Sequence, residues 1–372
     1  MSVALVATAC GGGAPGRTEP AAPNLEFANL ADAPQKLSVY GLFEGEPREQ
    51  RPAAGVVPYD LRTALFSDYA SKLRFVKLPA GQKARYSADR VIDFPVGTII
   101  AKTFAYPADM REPDGRLDLL ETRILLHQKA GWIGLPYVWN EEETEATLRL
   151  AGTMLAASWI DATGERVDHE YLVPNANQCK GCHRVEDDKF EPIGPKARYL
   201  NKDFAYAEGA ENQLAHWSRV GALDGAPPPE SVPRVPMWDD PASGSLEDRA
   251  RTYLEINCAH CHSTGGPART TGLDLTWGAH EPVKLGVYKF PVAAGRGSGD
   301  RLYGIVPGKP DQSILMYRMT SLDPGVMMPE LGRRMVHTEG VELLREWIAA
   351  MPDLARDGKG QRADAATPAA GG

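Results

Sequence analysis

No run in this sequence approaches the roughly 20 consecutive apolar residues that a helix needs to cross a bilayer. No basic stripe is present either. Lys and Arg number 41 against 49 Asp and Glu, for a formal net charge of −8. A chain with that balance lacks the cationic footprint that neutralises phosphates, which excludes nucleic acid as the expected partner. Cysteine is scarce: there are five in 372 residues, and four of them stand in two short motifs.

Those motifs are Cys179-Lys180-Gly181-Cys182-His183 and Cys258-Ala259-His260-Cys261-His262. Both read C-x-x-C-H, the spacing that attaches c-type haem. Two cysteines three apart reach the two vinyl groups of one porphyrin as thioethers, and the following histidine is held beneath the iron. The two pairs are too far apart for a compact zinc ribbon, whose pairs are separated by roughly 15–20 residues. Neither pair sits in the βαβ setting of a thioredoxin-like site. Zinc or a disulfide at either pair remains the alternative. The expected cofactors are thus two covalently bound haem c groups, with His183 and His262 as iron ligands. His260, inside the second motif, reads as a surface or propionate-side residue.

The hydrophobic fraction of 43% supports a sizeable core, and 37 glycines with 30 prolines imply many turns. The chain opens with a short apolar run ending in Cys10, then Gly-Gly-Gly and a Pro/Ala-rich stretch. This reads as a lipoprotein-type signal and tether over 1–35, with Cys10 the lipidated residue and the only membrane attachment. Short apolar and aromatic segments at 72–78, 85–94, 96–104, 119–127, 132–139, 147–150, 156–160 and 166–173 read as strands. They imply a β-rich domain over 36–220 that carries the first motif. A proline-rich linker is expected over 221–244. Ser245 begins a capping-box helix leading into Cys258, and Thr338 begins a final helix carrying Trp347. That layout implies an all-α class I cytochrome c domain over 245–353, followed by a disordered tail over 354–372. The expected fold is therefore α+β and multidomain.

Several stretches extend the comparison: Pro58-Tyr59-Asp60-Leu61, Leu65-Phe66-Ser67-Asp68, Phe94-Pro95-Val96-Gly97-Thr98, Leu120-Glu121-Thr122-Arg123 and Tyr137-Val138-Trp139-Asn140. With Asn257 before the second motif, Pro307-Gly308-Lys309-Pro310 and Met328-Pro329, they resemble exported bacterial dihaem c-type cytochromes, some fused to quinoprotein-type dehydrogenases. The first half is also distantly similar to β-sheet mono-haem cytochromes with a lysine–haem cross-link that oxidise hydroxylamine. The similarity rests on Phe94 to Thr98, Lys102, Gly131-Trp132 and the first motif, although the spacing from Trp132 to Cys179 is longer than in that family. By resemblance, Met328 is the second axial ligand of haem 2, ahead of Met327. Lys102 is either an ordinary strand lysine or a haem 1 contact.

These readings imply a dihaem relay on the periplasmic side of a bacterial membrane. It passes electrons between redox partner proteins, a periplasmic dehydrogenase being one candidate. The alternative is an enzyme whose haem 1 is open to a small nitrogen or oxygen species, with haem 2 as electron exit. The β-strands are expected to offer haem 1 an apolar distal wall, with His127, His169, Met154 or Met237 as the only candidate caps. An open haem 1 is then expected to have the lower potential, so that electrons run from haem 1 to haem 2. The mature protein should exceed its polypeptide mass by two haems; an excess of one haem, or of zinc, removes the assignment at the other motif.

Overall fold

The computed structural model describes residues 25–112, 114–185 and 189–353. Cys10 and the 354–372 tail lie outside the described residues, and so does most of the 1–35 leader. In chain order the strands are β1 (Val56–Tyr59), β2 (Ser71–Lys77), β3 (Ala84–Arg85), β4 (Ile99–Pro107), β5 (Leu117–Gln128), β6 (Gly131–Trp139), β7 (Ala146–Leu148), β8 (Thr153–Ile160) and β9 (Arg166–Val173). Then come α1 (Ala176–His183), α2 (Ala197–Leu200), β10 (Asp203–Tyr206), β11 (Gly209–Asn212), α3 (Gln213–Arg219), β12 (Leu223–Asp224), α4 (Leu246–Leu254), α5 (Ile314–Thr320) and α6 (Thr338–Ala350).

The centre is a six-stranded sheet in the order β1-β2-β4-β5-β6-β7, antiparallel throughout. Side chains alternate across it with period two. On β4, Ile99, Ala101 and Ala105 enter one core with Phe75, Ile124, Leu126 and Tyr137, covered by the 30–43 segment through Leu37, Tyr40 and Leu42. Ile100 and Phe104 point to the opposite face. Lys102, two positions from each, falls on that second face. The β8–β9 hairpin covers one end of this face through Trp159 and Tyr171, and Trp217 of α3 covers the other.

The expected strand at 85–94 is not there. Only Ala84–Arg85 forms ladder structure, and Asp93 folds back to bridge Arg85. The next strand starts at Ile99 because Pro95 to Thr98 make a turn, with Gly97 at φ 94°.

The expected all-α class I cytochrome c domain is also absent. Among the described residues the protein is β-rich with six short α-helices, the longest being the 13 residues of α6. The caps did identify two helices. Ser245 Oγ accepts from the Asp248 amide at 3.1 Å to begin α4, and α6 begins at Thr338. However, between the π-helical turn Glu255–Ala259 and α5, the chain makes only turns and 3-10 segments. This part holds a core of its own, around Tyr253, Leu254, Met316, Leu344 and Trp347, but it is tied closely to the other half. Glu255 and Ile256 are buried against the N-terminal half: Lys196 and Arg198 pair with Glu255, and Tyr199 donates to it at 2.6 Å. The backbone amides of Arg334 and Met335 donate to the Asp68 carboxylate at 2.8–2.9 Å, and Phe66 stacks on His337 at 4.1 Å. The proline-rich stretch is fastened too, since Asn201 donates to the carbonyls of Pro229 and Val232, both at 2.8 Å. Among the described residues no helix is long and apolar enough to cross a membrane.

Burial would raise the Glu255 carboxyl, but Lys196 and Arg198 hold it below the ordinary glutamate range. Removing one member of a buried ion cluster strands the others. Glu255→Ala should therefore cost about 3 kcal/mol in denaturant unfolding. A loss within experimental error would show that the two halves do not depend on this cluster.

Candidate functional site

The first motif lies on α1, which starts one residue after the end of β9 and Pro174. Asn175 and Gln178 form a reciprocal capping box, each side chain accepting from the other's backbone amide at 2.8–2.9 Å. Gly134 of β6 faces this helix. A Cβ there would lie 3.2 Å from the Cys179 Cβ and 3.3 Å from its sulfur, so glycine lets the motif sit against the sheet. The His183 ring stacks on Phe190 with centroids 4.8 Å apart, and its Nδ1 lies 2.6 Å from the Glu191 carbonyl. A carbonyl only accepts, so Nδ1 carries the hydrogen and Nε2 keeps its lone pair. Burial, opposed by the Glu191 contact, pushes His183 down to about 4.

The second motif follows α4 through the π turn Glu255–Ala259. His262 Nδ1 lies 3.1 Å from the Thr271 hydroxyl, which donates its own hydrogen to the Ala268 carbonyl at 2.8 Å. Thr271 is thus the acceptor, and Nε2 of His262 is again the free nitrogen. Burial, then Arg318, pushes His262 down to about 4. Both rings are neutral imidazoles held at Nδ1, the arrangement that orients a metal-ligating histidine.

Each motif opens on a cavity. The second motif's cavity is about 400 Å³, lined by Cys258, Cys261, His262 and Met328 within a wall that includes Leu254, Leu275, Leu285 and Ile305. Met328 lines it and Met327 does not. The Met328 loop is pinned: its amide donates to the Arg318 carbonyl at 3.0 Å, and Arg333 Nε donates to the Met328 carbonyl at 3.1 Å. The first motif's cavity is about 140 Å³, lined by Cys179, Cys182, His183, Lys102, Arg123 and Tyr171 among others. Cofactor pockets run to roughly 300–1,000 Å³. The second cavity thus fits a large apolar group with sulfur and imidazole ligands. The first offers the same ligands with less enclosed room.

The two sites touch. Cys182 and Leu331 line both cavities. The Cys261 sulfur lies 3.6 Å from the Gly181 carbonyl and within hydrogen-bond reach of the Cys182 sulfur. Hydrogen bonding from Cys261, and then from His260, holds the Cys182 thiol well below its ordinary range, while Cys261 is held above it. His260 was expected at the surface or on the propionate side. It instead lies half-buried between the motifs, with Nδ1 buried and unpartnered.

The wall facing His183 also departs from expectation. It is mainly apolar, through Ile100, Ile124, Leu125 and Leu135, but a row of cations crosses it. Arg74 on β2, Lys102 on β4 and Arg123 on β5 are direct cross-strand neighbours and form a row of three. Arg74 pairs with Asp60 at 2.6 Å, and Arg123 donates to Glu121 through Nε at 3.0 Å. Burial, then Arg123 and Arg74, pushes Lys102 down to about 7. None of the four expected caps lines this cavity. His127 is held by the Phe94 carbonyl at 2.9 Å and stacks on Trp132; His169 meets Asp68 at 3.3 Å. Met154 is exposed on the β8–β9 hairpin, and the Met237 amide is tied to Ser243.

Among the described residues no group of three or more His, Cys, Asp and Glu side chains is arranged to hold a metal ion, as a zinc site of protein ligands requires. In comparisons with protein-family models, curated proteins and solved structures, nothing matches the chain.

Gly181 sets how closely Leu331, beyond Met328, approaches the first motif, since a Cβ there would lie 2.7 Å from Leu331 Cδ1. Gly181→Val should destabilise by about 1–3 kcal/mol through overpacking. Adding Leu331→Ala should recover part of that loss, giving a non-additive double-mutant cycle. Strict additivity would mean that the Met328 loop does not rest on the first motif.

Proposed function

We propose that this protein is a dihaem c-type electron relay of the periplasmic side of a bacterial membrane, related in kind to the exported dihaem cytochromes it resembles. Cys179, Cys182 and His183 would hold one haem, and Cys258, Cys261 and His262 the other, with Met328 as the second ligand at the latter. Haem supplies an iron that takes up and releases one electron. The observation that carries the reading is the closeness of the motifs, with the Cys261 sulfur 3.6 Å from the Gly181 carbonyl and both cavities sharing Cys182 and Leu331. Groups attached at Cys182 and Cys261 would meet at their edges, which is what a relay needs.

The residues divide the remaining work. The Glu191 carbonyl and the Thr271 hydroxyl orient the two imidazoles through Nδ1. Leu254, Leu275, Leu285 and Ile305 keep water from the second site. Arg318 and Arg333 position the Met328 loop. The partners are redox proteins, with a periplasmic dehydrogenase as the candidate donor.

A second reading is favoured by one observation, the absence of every expected cap from the cavity facing His183. Lys102 and Arg123 stand there instead. A small nitrogen or oxygen species could bind in that space, with the second site carrying electrons away.

Carbon monoxide separates the two. The reduced wild type should bind one molecule per chain if the first site is open, and Met328→Ala should bind one more while retaining both haems by mass. No binding by the wild type removes the open-site reading and leaves the relay. No added binding in Met328→Ala removes Met328 as a ligand. A chain with fewer than two haems overturns the proposal.

A further inference from the structure

We propose that the 66–69 turn of the N-terminal half sets the distance between His262 and Met328, with Asp68 as the positioning residue that keeps Met328 at the second site. What Met328 binds there rests on the dihaem reading; the tether itself does not.

Both sides of the second site are fastened to this one turn. On the motif side, the Phe66 amide donates to Asn257 Oδ1 at 2.8 Å, and Asn257 Nδ2 donates to the Tyr253 carbonyl at 3.0 Å. Asn257 is buried and directly precedes Cys258. On the other side, the Arg334 amide lies 2.8 and 2.9 Å from the two Asp68 carboxylate oxygens, and the Met335 amide donates to the first of them at 2.8 Å. Arg333 passes this hold on to Met328. Its Nη1 donates to the Met335 carbonyl at 3.0 Å and its Nε to the Met328 carbonyl at 3.1 Å, so one guanidinium joins both ends of the 328–335 segment. Tyr69 adds a grip on the start of α6, its hydroxyl accepting from the Thr338 amide at 3.2 Å and donating to Glu339 at 2.8 Å. Asp68, Gly332 and Arg333 also line the first cavity, so the device stands between the two sites.

The turn is kept against its own preference. Asp68 and Tyr69 are consecutive residues in the left-handed region, at φ 48° and 62°, a conformation that a bulky tyrosine rarely adopts. The Tyr106 hydroxyl holds it by donating to the Asp68 carbonyl at 2.6 Å. Backbone of this kind persists where its surroundings over-determine it, and it gathers at functional sites. Hydrogen bonds from amides to a carboxylate are also roughly twice as strong as neutral ones. A binding side chain on a loop is only as well placed as the shell that supports it, and for Met328 that shell runs through Arg333 to Asp68.

The test compares holoprotein variants by haem mass, carbon monoxide uptake of the reduced protein and reduction potential. Asp68→Gly removes the carboxylate while glycine accepts the left-handed backbone. It should keep both haems, bind one more carbon monoxide per chain than the wild type, and lower the potential of the second site, as Met328→Ala does. Loss of a carboxylate alone would raise that potential, so the fall reports the lost methionine and not the lost charge. Asn201→Ala breaks the buried bonds from Asn201 to Pro229 and Val232 without touching the 328–335 segment, and should match the wild type in both readouts. Wild-type uptake and potential in Asp68→Gly, or the same change in Asn201→Ala, overturns the role. Hydrogen exchange on the wild-type holoprotein keeps the proposal testable should Asp68→Gly not fold. The Arg334 and Met335 amides should exchange as slowly as those of β4; exchange at the rate of an exposed loop overturns the tether. If the wild type carries fewer than two haems, or Met328→Ala binds no added carbon monoxide, it is the dihaem reading or its Met328 ligand that fails, and protected amides at 334 and 335 leave the tether standing.

Discussion

The approach of Cys261 to the Gly181 carbonyl, 3.6 Å away in the first motif, is the constraint on which the other arrangements depend. It brings together two motifs from distant parts of the chain, and several costly features keep it in place. Gly181 gives up helix propensity, worth roughly 1 kcal/mol relative to alanine, so that Leu331 can approach. Glu255 is buried, at 3% exposure, beside Lys196 and Arg198, which locks the helix entering the second motif onto the segment following the first. Asp68, likewise buried, spends its carboxylate on two backbone amides of the stretch that follows the Met328 loop. Each device ties an N-terminal element to a C-terminal one at the level of the motifs. A plain two-domain chain joined by a linker has no use for such ties.

The row Arg74, Lys102, Arg123 is the clearest local conflict in the fold. Like charges directly opposite on adjacent strands are destabilising, and burying them removes the screening that water provides. Two members are neutralised, by Asp60 and Glu121, but Lys102 meets only the Phe104 ring, at 4.9 Å. A conflict kept at the centre of a sheet face, against the cavity that holds His183, is the pattern expected of a functional site and not of a packing solution. What it offers that cavity is positive charge and a buried amine.

Much of this was legible in the sequence, within limits set by range. Both C-x-x-C-H motifs, the caps at Ser245 and Thr338, and most strands are local patterns, and local physics decides them. The failures are all non-local. The strand expected at 85–94 lost to the turn that brings Asp93 back to Arg85. The all-α domain was inferred from the helices beginning at Ser245 and Thr338, but the Gly- and Pro-rich chain between them makes turns, and Ile256 is buried in the other half's core. The apolar wall was inferred from strand composition. Yet β2, β4 and β5 each carry a cation near their middle, and only the register Arg74↔Lys102↔Arg123 shows that the three coincide. A charged residue in the middle of each of three strands was the signal available.

The two sites differ in how they would treat an added electron, and this bears on direction. At the first site Arg74 and Arg123 are paired with Asp60 and Glu121, so the charge left to favour the electron-rich state of whatever His183 holds is that of Lys102, itself pushed down to about 7. At the second, the wall is largely apolar but also carries Lys289, Arg318 and Glu330 beside Met328. A first site with an apolar wall and no strong cap was expected to lie lower in potential and feed the second. The charge of Lys102 acts against that difference, raising the site expected to be low. On the dihaem reading, two groups touching at their edges and drawn together in potential would exchange electrons in either direction. The direction of flow would then be set by the partner proteins and not by a steep internal gradient.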